Sequence, residues 1–141
     1  MDSFYIIIAI GLISSIVIAI MRYKAEKGDQ DPSNIEKDRA AATKYSELCE
    51  ESETISVVCR GYKEEYYVLT NKRLIIDNKK GFNSIPLQSI SKVDLKKADG
   101  SKARSSSDCQ LIMIHAEKRY TIVRYSGKFD GIAEYFFSRF S

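Results

Sequence analysis

Tyr67 to Ile76 reads YVLTNKRLII and Ile85 to Val93 reads IPLQSISKV, and these two segments decide the fold. Apolar side chains alternate on both sides of Asn71 and Lys72, which predicts two strands joined by a tight turn. Asn71 tolerates a positive φ angle in such a turn. Pro86 suits the margin of a strand, where a missing N–H group is tolerated. The two segments therefore specify a fold and not a reaction.

Further short segments with period-two alternation flank this turn on both sides. The candidate strands are residues 55–59, 66–70, 74–76, 82–87, 93–95, 109–116 and 119–125. Residues 98–108 are rich in serine and turn-forming residues and indicate a loop. The pattern predicts about seven short strands. We assign Arg73 a structural role and place four residues in the core: Ile85, Leu87, Ile90 and Val93.

The last segment of the chain has the spacing of an amphipathic helix. Its apolar residues fall at i, i+3, i+4, i+7, i+8 and i+11 and are Phe129, Ile132, Ala133, Phe136, Phe137 and Phe140. Ser126 and Gly127 precede them as a cap region. So wide a stripe predicts a helix that plugs one end of a barrel or sandwich. A docking face for another helix is the alternative.

The segments around Asn71 and Pro86 resemble the bacterial PH-like (pleckstrin-homology-like) domains. Their shared pattern is a hydrophobic residue, Leu-Thr-Asn-Lys-Arg-Leu, a variable turn, and then Ile-Pro-hydrophobic-x-x-Ile-x-x-Val. The resemblance covers about Leu48 to Phe140. It implies an α+β chain that is mainly β, with a seven-stranded PH-like barrel or sandwich capped by a C-terminal helix. Proteins of this group often combine the domain with membrane segments.

The N-terminal segment is long and apolar enough to span a membrane. Phe4 to Met21 reads FYIIIAIGLISSIVIAIM, 18 residues without a charge. A helix of this length spans roughly 27 Å, close to the hydrocarbon thickness of a bilayer. We predict a transmembrane anchor over residues 1–24. A cleaved signal peptide and a buried core helix are alternatives, but the first requires a basic start and the second usually shows a polar stripe.

Positive charge follows the predicted span and does not precede it. Arg22, Lys24 and Lys27 lie just after the apolar run, and the positive-inside rule counts lysine and arginine, not net charge. We therefore predict a single-pass protein of the plasma (inner) membrane, with its N-terminus outside and its C-terminal domain in the cytoplasm. The three cysteines, an odd number without repeated spacing, fit a reducing compartment.

A linker and a second helix join the predicted anchor to the predicted domain. Residues 25–33 are polar and contain Gly28 and Pro32, which is typical of a linker. Ser33 and Glu36 match a capping box, and apolar residues follow at helical spacing. We predict an amphipathic helix over residues 34–50, which covers an edge of a sheet or lies near the membrane. The PH-like domain is predicted over residues 51–141.

Composition and motifs argue against several function classes. The chain has 141 residues, with 22 Lys plus Arg and 19 Asp plus Glu, so its net charge of +3 is too balanced for a nucleic-acid-binding protein. His115 is the single histidine, and the cysteines lack CxxC spacing, which disfavours a metal site. Residues 105–108 (SSSD) lack a base, and residues 100–102 (GSK) lack the upstream glycine of a P-loop. We predict a non-enzyme without cofactors.

Cationic loop residues form the candidate partner- or lipid-binding site. In the PH-like fold three loops gather at the open end, and here they carry Lys63, Lys79, Lys80, Lys118 and Arg119. Four carboxylates lie in the same loops, so we expect at most a weak contact with anionic lipid, worth ~1 kcal/mol for each lysine. A peptide strand that adds to these loops or to an exposed edge of the barrel is an alternative ligand.

Three functions are compatible with the sequence. The first is a non-catalytic PH-like module, held at the membrane by a single span, that binds a protein partner there. The second is a module that senses anionic lipid through its loops and through a cluster of Lys96, Lys97, Lys102 and Arg104. The third is a small immunity or exclusion factor at the membrane, which a neighbouring toxin gene would support.

Overall fold

The structure is a computed structural model that describes residues 30–140. Its helices are α1 (Pro32–Glu47) and α2 (Phe129–Phe140), and its strands are β1 (Ile55–Arg60), β2 (Tyr66–Thr70), β3 (Arg73–Asn78), β4 (Gly81–Pro86), β5 (Lys92–Lys96), β6 (Leu111–His115) and β7 (Arg119–Val123). The predicted anchor, residues 1–24, lies outside the described residues, as do Arg22, Lys24 and Lys27. Within residues 30–140, no helix is long and apolar enough to cross a membrane.

The seven strands form two antiparallel sheets. One sheet has the order β1-β2-β3-β4 and the other has the order β5-β6-β7. The predicted tight turn joins β2 to β3, where Leu69 is paired with Leu74. Pro86 ends β4, the strand margin at which its missing N–H group was expected. The described chain is thus a mixed α+β fold with two sheets and a C-terminal helix, as predicted.

Helix α2 closes the core between the two sheets. Phe129, Ile132, Ala133 and Phe136 are fully buried, and the core cluster around them contains residues from both sheets. Each such large apolar side chain contributes roughly 1.5–3 kcal/mol on burial. The helix approaches β1 so closely that a Cβ atom on Gly131 would lie 2.8 Å from Cγ2 of Val57. The predicted plug is therefore confirmed, and the stripe is used inside this domain.

Helix α1 covers the outer face of the four-stranded sheet. Ala41 and Tyr45 are buried against Val68 and Ile75, whose side chains point away from the main core. The predicted amphipathic helix is present and covers the sheet. The predicted position is wrong, because the helix covers a face of the sheet and not an edge. It begins at Pro32 and ends at Glu47, so its bounds differ from the predicted 34–50.

The predicted capping box of α1 is wrong. The N-cap residue is Asp31, whose carboxylate accepts hydrogen bonds from the backbone N–H and the hydroxyl of Ser33, both at 2.9 Å. Pro32 occupies the first turn, where its fixed φ angle suits a helix and its missing N–H group costs nothing. The same bonds lower the pKa of Asp31 below its ordinary value. Asp31, which precedes the proline, therefore caps the helix instead of Ser33.

The TNKR segment of the turn between β2 and β3 fixes the connection between α1 and β1. Asn71 accepts a hydrogen bond from the Thr54 N–H at 2.9 Å and donates one to the Ser52 carbonyl at 3.0 Å. Asn71 does not adopt the positive φ that it tolerates, because the non-glycine residues with positive φ in the described chain are Lys63 and Glu64. Asn71 is used here for its side-chain amide and not for its backbone.

The predicted structural role of Arg73 is confirmed by its hydrogen bonds with the buried carboxylate of Glu53. Its Nε and Nη2 donate to the two carboxylate oxygens of Glu53 at 2.9 and 3.1 Å, and Thr70 Oγ1 donates to the same group at 2.7 Å. The Glu53 side chain has no exposed surface. Burial by itself would raise the pKa of Glu53, but the hydrogen bonds from Arg73 and Thr70 outweigh it and lower the pKa to about 2.

Candidate binding cleft

A cleft of about 660 Å³ lies between α1 and the four-stranded sheet. Ala40, Ala41 and Tyr45 of α1 form one wall, and Tyr66 and Asp77 of the sheet line the other. The turn between β1 and β2 and the start of the turn between β3 and β4 close its ends. The cleft therefore depends on α1, and it lies outside the main core.

Positive charge exceeds negative charge along this cleft. Its lining contains five cations, Lys37, Lys44, Arg60, Lys63 and Lys79, and two carboxylates, Glu64 and Asp77. With α1 in place, the balance is more cationic than the loops alone suggested, because the helix adds two lysines. This excess is the chemical feature that most distinguishes the cleft.

Two of the five cations are occupied by structural partners. Arg60 Nη1 donates to Asp38 of α1 at 3.0 Å, and both side chains are almost fully buried. Lys44 Nζ lies 3.2 Å from Asp77, which also accepts a 2.5 Å hydrogen bond from Tyr45 Oη. The pKa of Tyr45 is raised well above its ordinary value, mainly because the side chain is buried and, to a smaller extent, because its hydroxyl donates to Asp77. These contacts attach α1 to the sheet.

The remaining three cations are more available to a ligand. Lys37 lies 3.8 Å from Glu64, and both side chains are exposed, so the pair contributes little. Lys63 lies over its neighbour Tyr62, with Nζ 5.5 Å from the ring centroid. Lys79 lines the cleft from the turn after β3 and is exposed. An anionic or carboxylate-bearing ligand would meet these lysines first.

The turn between β1 and β2 is strained and exposes an aromatic ring. Lys63 and Glu64 both have left-handed backbone angles, φ 54° and 64°, which cost non-glycine residues of the order of 1 kcal/mol each. A hydrogen bond of 2.7 Å from the Gly61 N–H to the Glu65 carbonyl closes the turn. Tyr62 is 62% exposed there, and it makes an edge contact with Tyr125 at 5.8 Å between ring centroids.

The structure brings together only part of the predicted loop site. Lys63 and Lys79 line the cleft, whereas Lys80 is exposed in the same turn as Lys79 but does not line it. Lys118 and Arg119 lie at the turn between β6 and β7, in the other sheet, and also do not line it. Two of the five predicted residues therefore line this cleft, and the other three lie outside its lining.

Sequence reasoning missed the contribution of α1 and of two tyrosines. Lys37 and Lys44 are seven residues apart, the spacing of one helix face, which is the signal that could have found them. Tyr62 and Tyr125 are 63 residues apart in sequence, and their contact depends on the strained turn. No local pattern indicates it.

His115 makes a local pair on the outer face of the three-stranded sheet. Its Nε2 lies 2.9 Å from Asp94 Oδ2, and both side chains are about 30% exposed. This hydrogen bond is the main reason why the pKa of Asp94 is lowered.

The serine-rich loop is a turn that Asp108 fixes, because its carboxylate accepts hydrogen bonds from the backbone N–H groups of Arg104 and Ser105. Within residues 30–140 no cluster of metal-ligating side chains occurs.

Comparison with models of protein families identifies the family to which this fold belongs. A family model described as "Bacterial PH domain" matches residues 49–130, more than half of the chain. The chain belongs to the bacterial PH domain family. Neither curated proteins nor solved structures gave a significant match. In this bacterial PH domain, α1 precedes the matched range, so one wall of the cleft is built by a segment that the family match does not include. PH-like domains are generally non-catalytic binding modules, which supports binding and not turnover.

Proposed function

We propose that this protein is a single-pass membrane protein whose cytoplasmic PH domain binds a protein partner at the membrane surface, without catalysis. The family supports a binding module. The uncharged run Phe4 to Met21 and the lysines and arginine that follow it support the anchor and its orientation. The observation that carries the proposal of a protein partner is the exposed tyrosine pair beside the cleft.

Tyr62 and Tyr125 have the properties of binding anchors. They are 62% and 45% exposed, and each supports the ring of the other. The Arg60 guanidinium lies 5.9 Å from the Tyr125 ring centroid. Tyrosine is enriched among the residues that dominate protein interfaces, because it combines a large apolar area with a polar group, and the buried Arg60 holds the Tyr125 ring from below the surface. A partner that covered these rings would also meet the cleft lysines.

The position of α1 sets the distance between this surface and the proposed membrane anchor. Seven residues, 25–31, separate the predicted anchor from Pro32. Fully extended, they reach at most about 25 Å. Asn34 and Lys37, in the first turns of α1, line the cleft. In this proposal the partner therefore binds within a few nanometres of the bilayer, so that a membrane protein or a membrane-bound protein fits best.

Photo-crosslinking in native membranes tests the proposal. The full chain carries a photoreactive phenylalanine analogue in place of Tyr62 or, as the control, in place of Phe82, which is 47% exposed on edge strand β4. We expect a discrete protein adduct from position 62 and none from position 82. Tyr125→Ala should abolish the adduct. Identical adducts from both positions, or none from position 62, would argue against a partner at this surface.

Anionic lipid is a second candidate ligand, favoured by Lys37, Lys63 and Lys79 in the cleft. Each contributes ~1 kcal/mol near an anionic leaflet. The test compares the full chain in nanodiscs of neutral and of anionic lipid by hydrogen exchange. Protection of the cleft in anionic discs alone, lost in Lys63→Gln/Lys79→Gln but kept in the control Lys118→Gln/Arg119→Gln, would support lipid. Equal exchange in both discs would exclude it.

A further inference from the structure

The outer face of the three-stranded sheet is not covered by either helix of the described chain. Along β5, β6 and β7, alternate side chains point into the core, and the side chains between them are half-buried or exposed. Helix α1 packs on the four-stranded sheet, and α2 packs in the core between the two sheets. The outer face therefore lies on the side of the domain opposite α1.

Three apolar side chains form a patch on this outer face. Leu111 of β6 is paired with Val123 of β7, and Met113 is paired with Thr121. Paired residues point to the same side of a sheet, with their Cβ atoms about 4.5–5.5 Å apart. Val123 is 46% exposed, and Leu111 and Met113 are half-buried. The patch is contiguous, so a partner that covered it would remove apolar surface from water.

Cations flank the patch and exceed the carboxylates. Lys92 and Lys96 lie beside it on β5, and Arg119 lies at the start of β7. Asp94 is the single carboxylate in the three strands. It is paired with His115 at 2.9 Å and lies 3.7 Å from Lys92, whereas within residues 30–140 neither Lys96 nor Arg119 takes part in an ion pair. The outer face therefore complements a ligand that is both apolar and acidic.

The size of the outer face fits one helix and not a second copy of the domain. Strands of five residues span about 17 Å, and three of them are about 14 Å wide, which gives a projected area of about 240 Å². Each partner of a standard interface buries roughly 800 Å². A helix is about 10 Å wide and covers 17 Å with about 11 residues. Two copies of the outer face would also place cations against cations.

A flat anionic bilayer fits the outer face less well than a helix does. Leu111 and Met113 are half-buried between longer cationic side chains, so a bilayer surface would contact the cations and leave the patch uncovered. Side chains that project from a helix can enter the space between those cations. The uncharged run from Phe4 to Met21 precedes α1 in the chain, and α1 lies on the opposite side of the domain. These features favour a protein segment as the partner.

We propose that the outer face of the β5–β6–β7 sheet binds an acidic amphipathic helix of a partner protein, about three turns long. The apolar stripe of this helix covers Leu111, Met113 and Val123, and its carboxylates lie near Lys96 and Arg119. The helix covers this sheet as α1 covers the other one. Neither the membrane anchor nor the Tyr62–Tyr125 surface takes part in the contact, so the proposal stands or falls separately from the proposed function.

Peptide selection against the full chain in nanodiscs of neutral lipid tests this contact. Two displayed libraries contain alanine-rich peptides of about 15 residues, long enough to form a helix on binding. Both have apolar residues at i, i+3, i+4 and i+7, and their remaining variable positions are Glu in one library and Lys in the other. We expect enrichment from the acidic library alone.

The methyl group of Met113 reports where a selected peptide binds. The other two methionines, Met1 and Met21, lie outside the described residues. In full chain with ¹³C-labelled methionine methyl groups, the selected peptide should shift the Met113 resonance. A selected peptide that leaves this resonance unchanged would overturn the proposal. A shift on transfer from neutral to anionic nanodiscs without peptide would assign the outer face to lipid and also overturn it.

Charge reversal and a proline test the chemistry and the conformation of the bound peptide. Lys96→Glu/Arg119→Glu should weaken a selected peptide by about tenfold or more. The control Lys79→Glu/Lys80→Glu, which makes the same change of charge beside the other sheet, should leave its affinity unchanged. A central proline in the peptide should also weaken binding by about tenfold or more, because it interrupts a helix.

Four results contradict the proposal besides those of the Met113 resonance. They are equal enrichment of both libraries, no enrichment from either, full affinity of the peptide that contains proline, and equal effects of the two charge reversals. Loss of peptide binding in Tyr62→Ser/Tyr125→Ser would place the peptide on the other surface and would likewise overturn the proposal. The photo-crosslinking result at position 62 is independent of all these outcomes.

Discussion

Replacement of Glu53 by glutamine removes the buried charge that fixes the segment before β1. The two carboxylate oxygens accept four hydrogen bonds, from Arg73 Nε and Nη2, Thr70 Oγ1 and the backbone N–H of Glu50. Glutamine offers one oxygen and one NH₂ group. In either orientation of the amide, the NH₂ group would therefore face one of the hydrogen-bond donors that now contact the carboxylate. Glu53→Gln should therefore break the network while it preserves the size of the side chain.

The pKa of Glu53 gives the size of the effect. A fall from the ordinary value of 4.5 to about 2 corresponds to about 3 kcal/mol of folding stability at neutral pH. Loss of one partner from a buried ion pair has a similar cost, about 3–5 kcal/mol. We expect Glu53→Gln to lower the free energy of unfolding by about 3 kcal/mol at pH 7.

The pH dependence has a definite sign. Because the pKa is lower in the folded chain than in the unfolded chain, the stabilisation is complete above about 4.5 and is lost as the pH falls towards 2. The difference in stability between wild type and Glu53→Gln should therefore shrink over this range, as the wild-type carboxyl becomes protonated and resembles the amide.

Equilibrium urea unfolding of the full chain in detergent, followed by tyrosine fluorescence, provides the measurement, since the chain has nine tyrosines and no tryptophan. Glu51→Gln is the matched control, because Glu51 is exposed, and it should change stability by less than about 0.5 kcal/mol. Equal stability of wild type and Glu53→Gln at pH 7, or a difference that does not change down to pH 2, would refute the reasoning.

Three further predictions concern packing, attachment and topology. Gly131→Ala places a methyl group 2.8 Å from Val57 Cγ2 and should cost about 1–2 kcal/mol in urea unfolding, partly restored by Val57→Ala; no loss would show that Val57 moves aside. Tyr45→Phe removes the 2.5 Å bond to Asp77, so hydrogen exchange of residues 32–47 should quicken by about fivefold, more than in the control Tyr66→Phe, whose bond to Asp38 is 3.4 Å. Protease should digest the domain in sealed inside-out vesicles and spare it in right-side-out vesicles; the reverse pattern would contradict the orientation.

The strands and α2 were predictable because their signals are local. Period-two alternation marks each strand within five or six residues, and the stripe from Phe129 to Phe140 marks α2 within twelve. The motif around Asn71 and Pro86 added the PH-like fold class through its resemblance to a family. The strands and α2 depend on which side chains face the core, and that pattern can be recognised from residues close together in the sequence.

The candidate sites were not predictable in the same way, because they depend on contacts between distant residues. Asn71 forms hydrogen bonds with Ser52 and Thr54, and the ring of Tyr62 contacts the ring of Tyr125. Among the predicted loop residues, Lys63 and Lys79 line the cleft with residues of α1, whereas Lys118 and Arg119 lie at a turn of the second sheet. Such groupings follow from how the two sheets and α1 pack, which no segment encodes alone.

The turn that defines the fold also positions the cleft. Arg73 Nη2 donates to the carbonyl of Leu48, the C-cap residue of α1, at 3.0 Å. Lys72 Nζ lies 3.2 Å from Glu50, in the connection that follows. These contacts fix the C-terminal end of α1, while Asp38 fixes its N-terminal half through Arg60. A change at Arg73 should therefore alter binding in the cleft although Arg73 does not line it, because the cleft wall is a helix that this turn attaches to the domain.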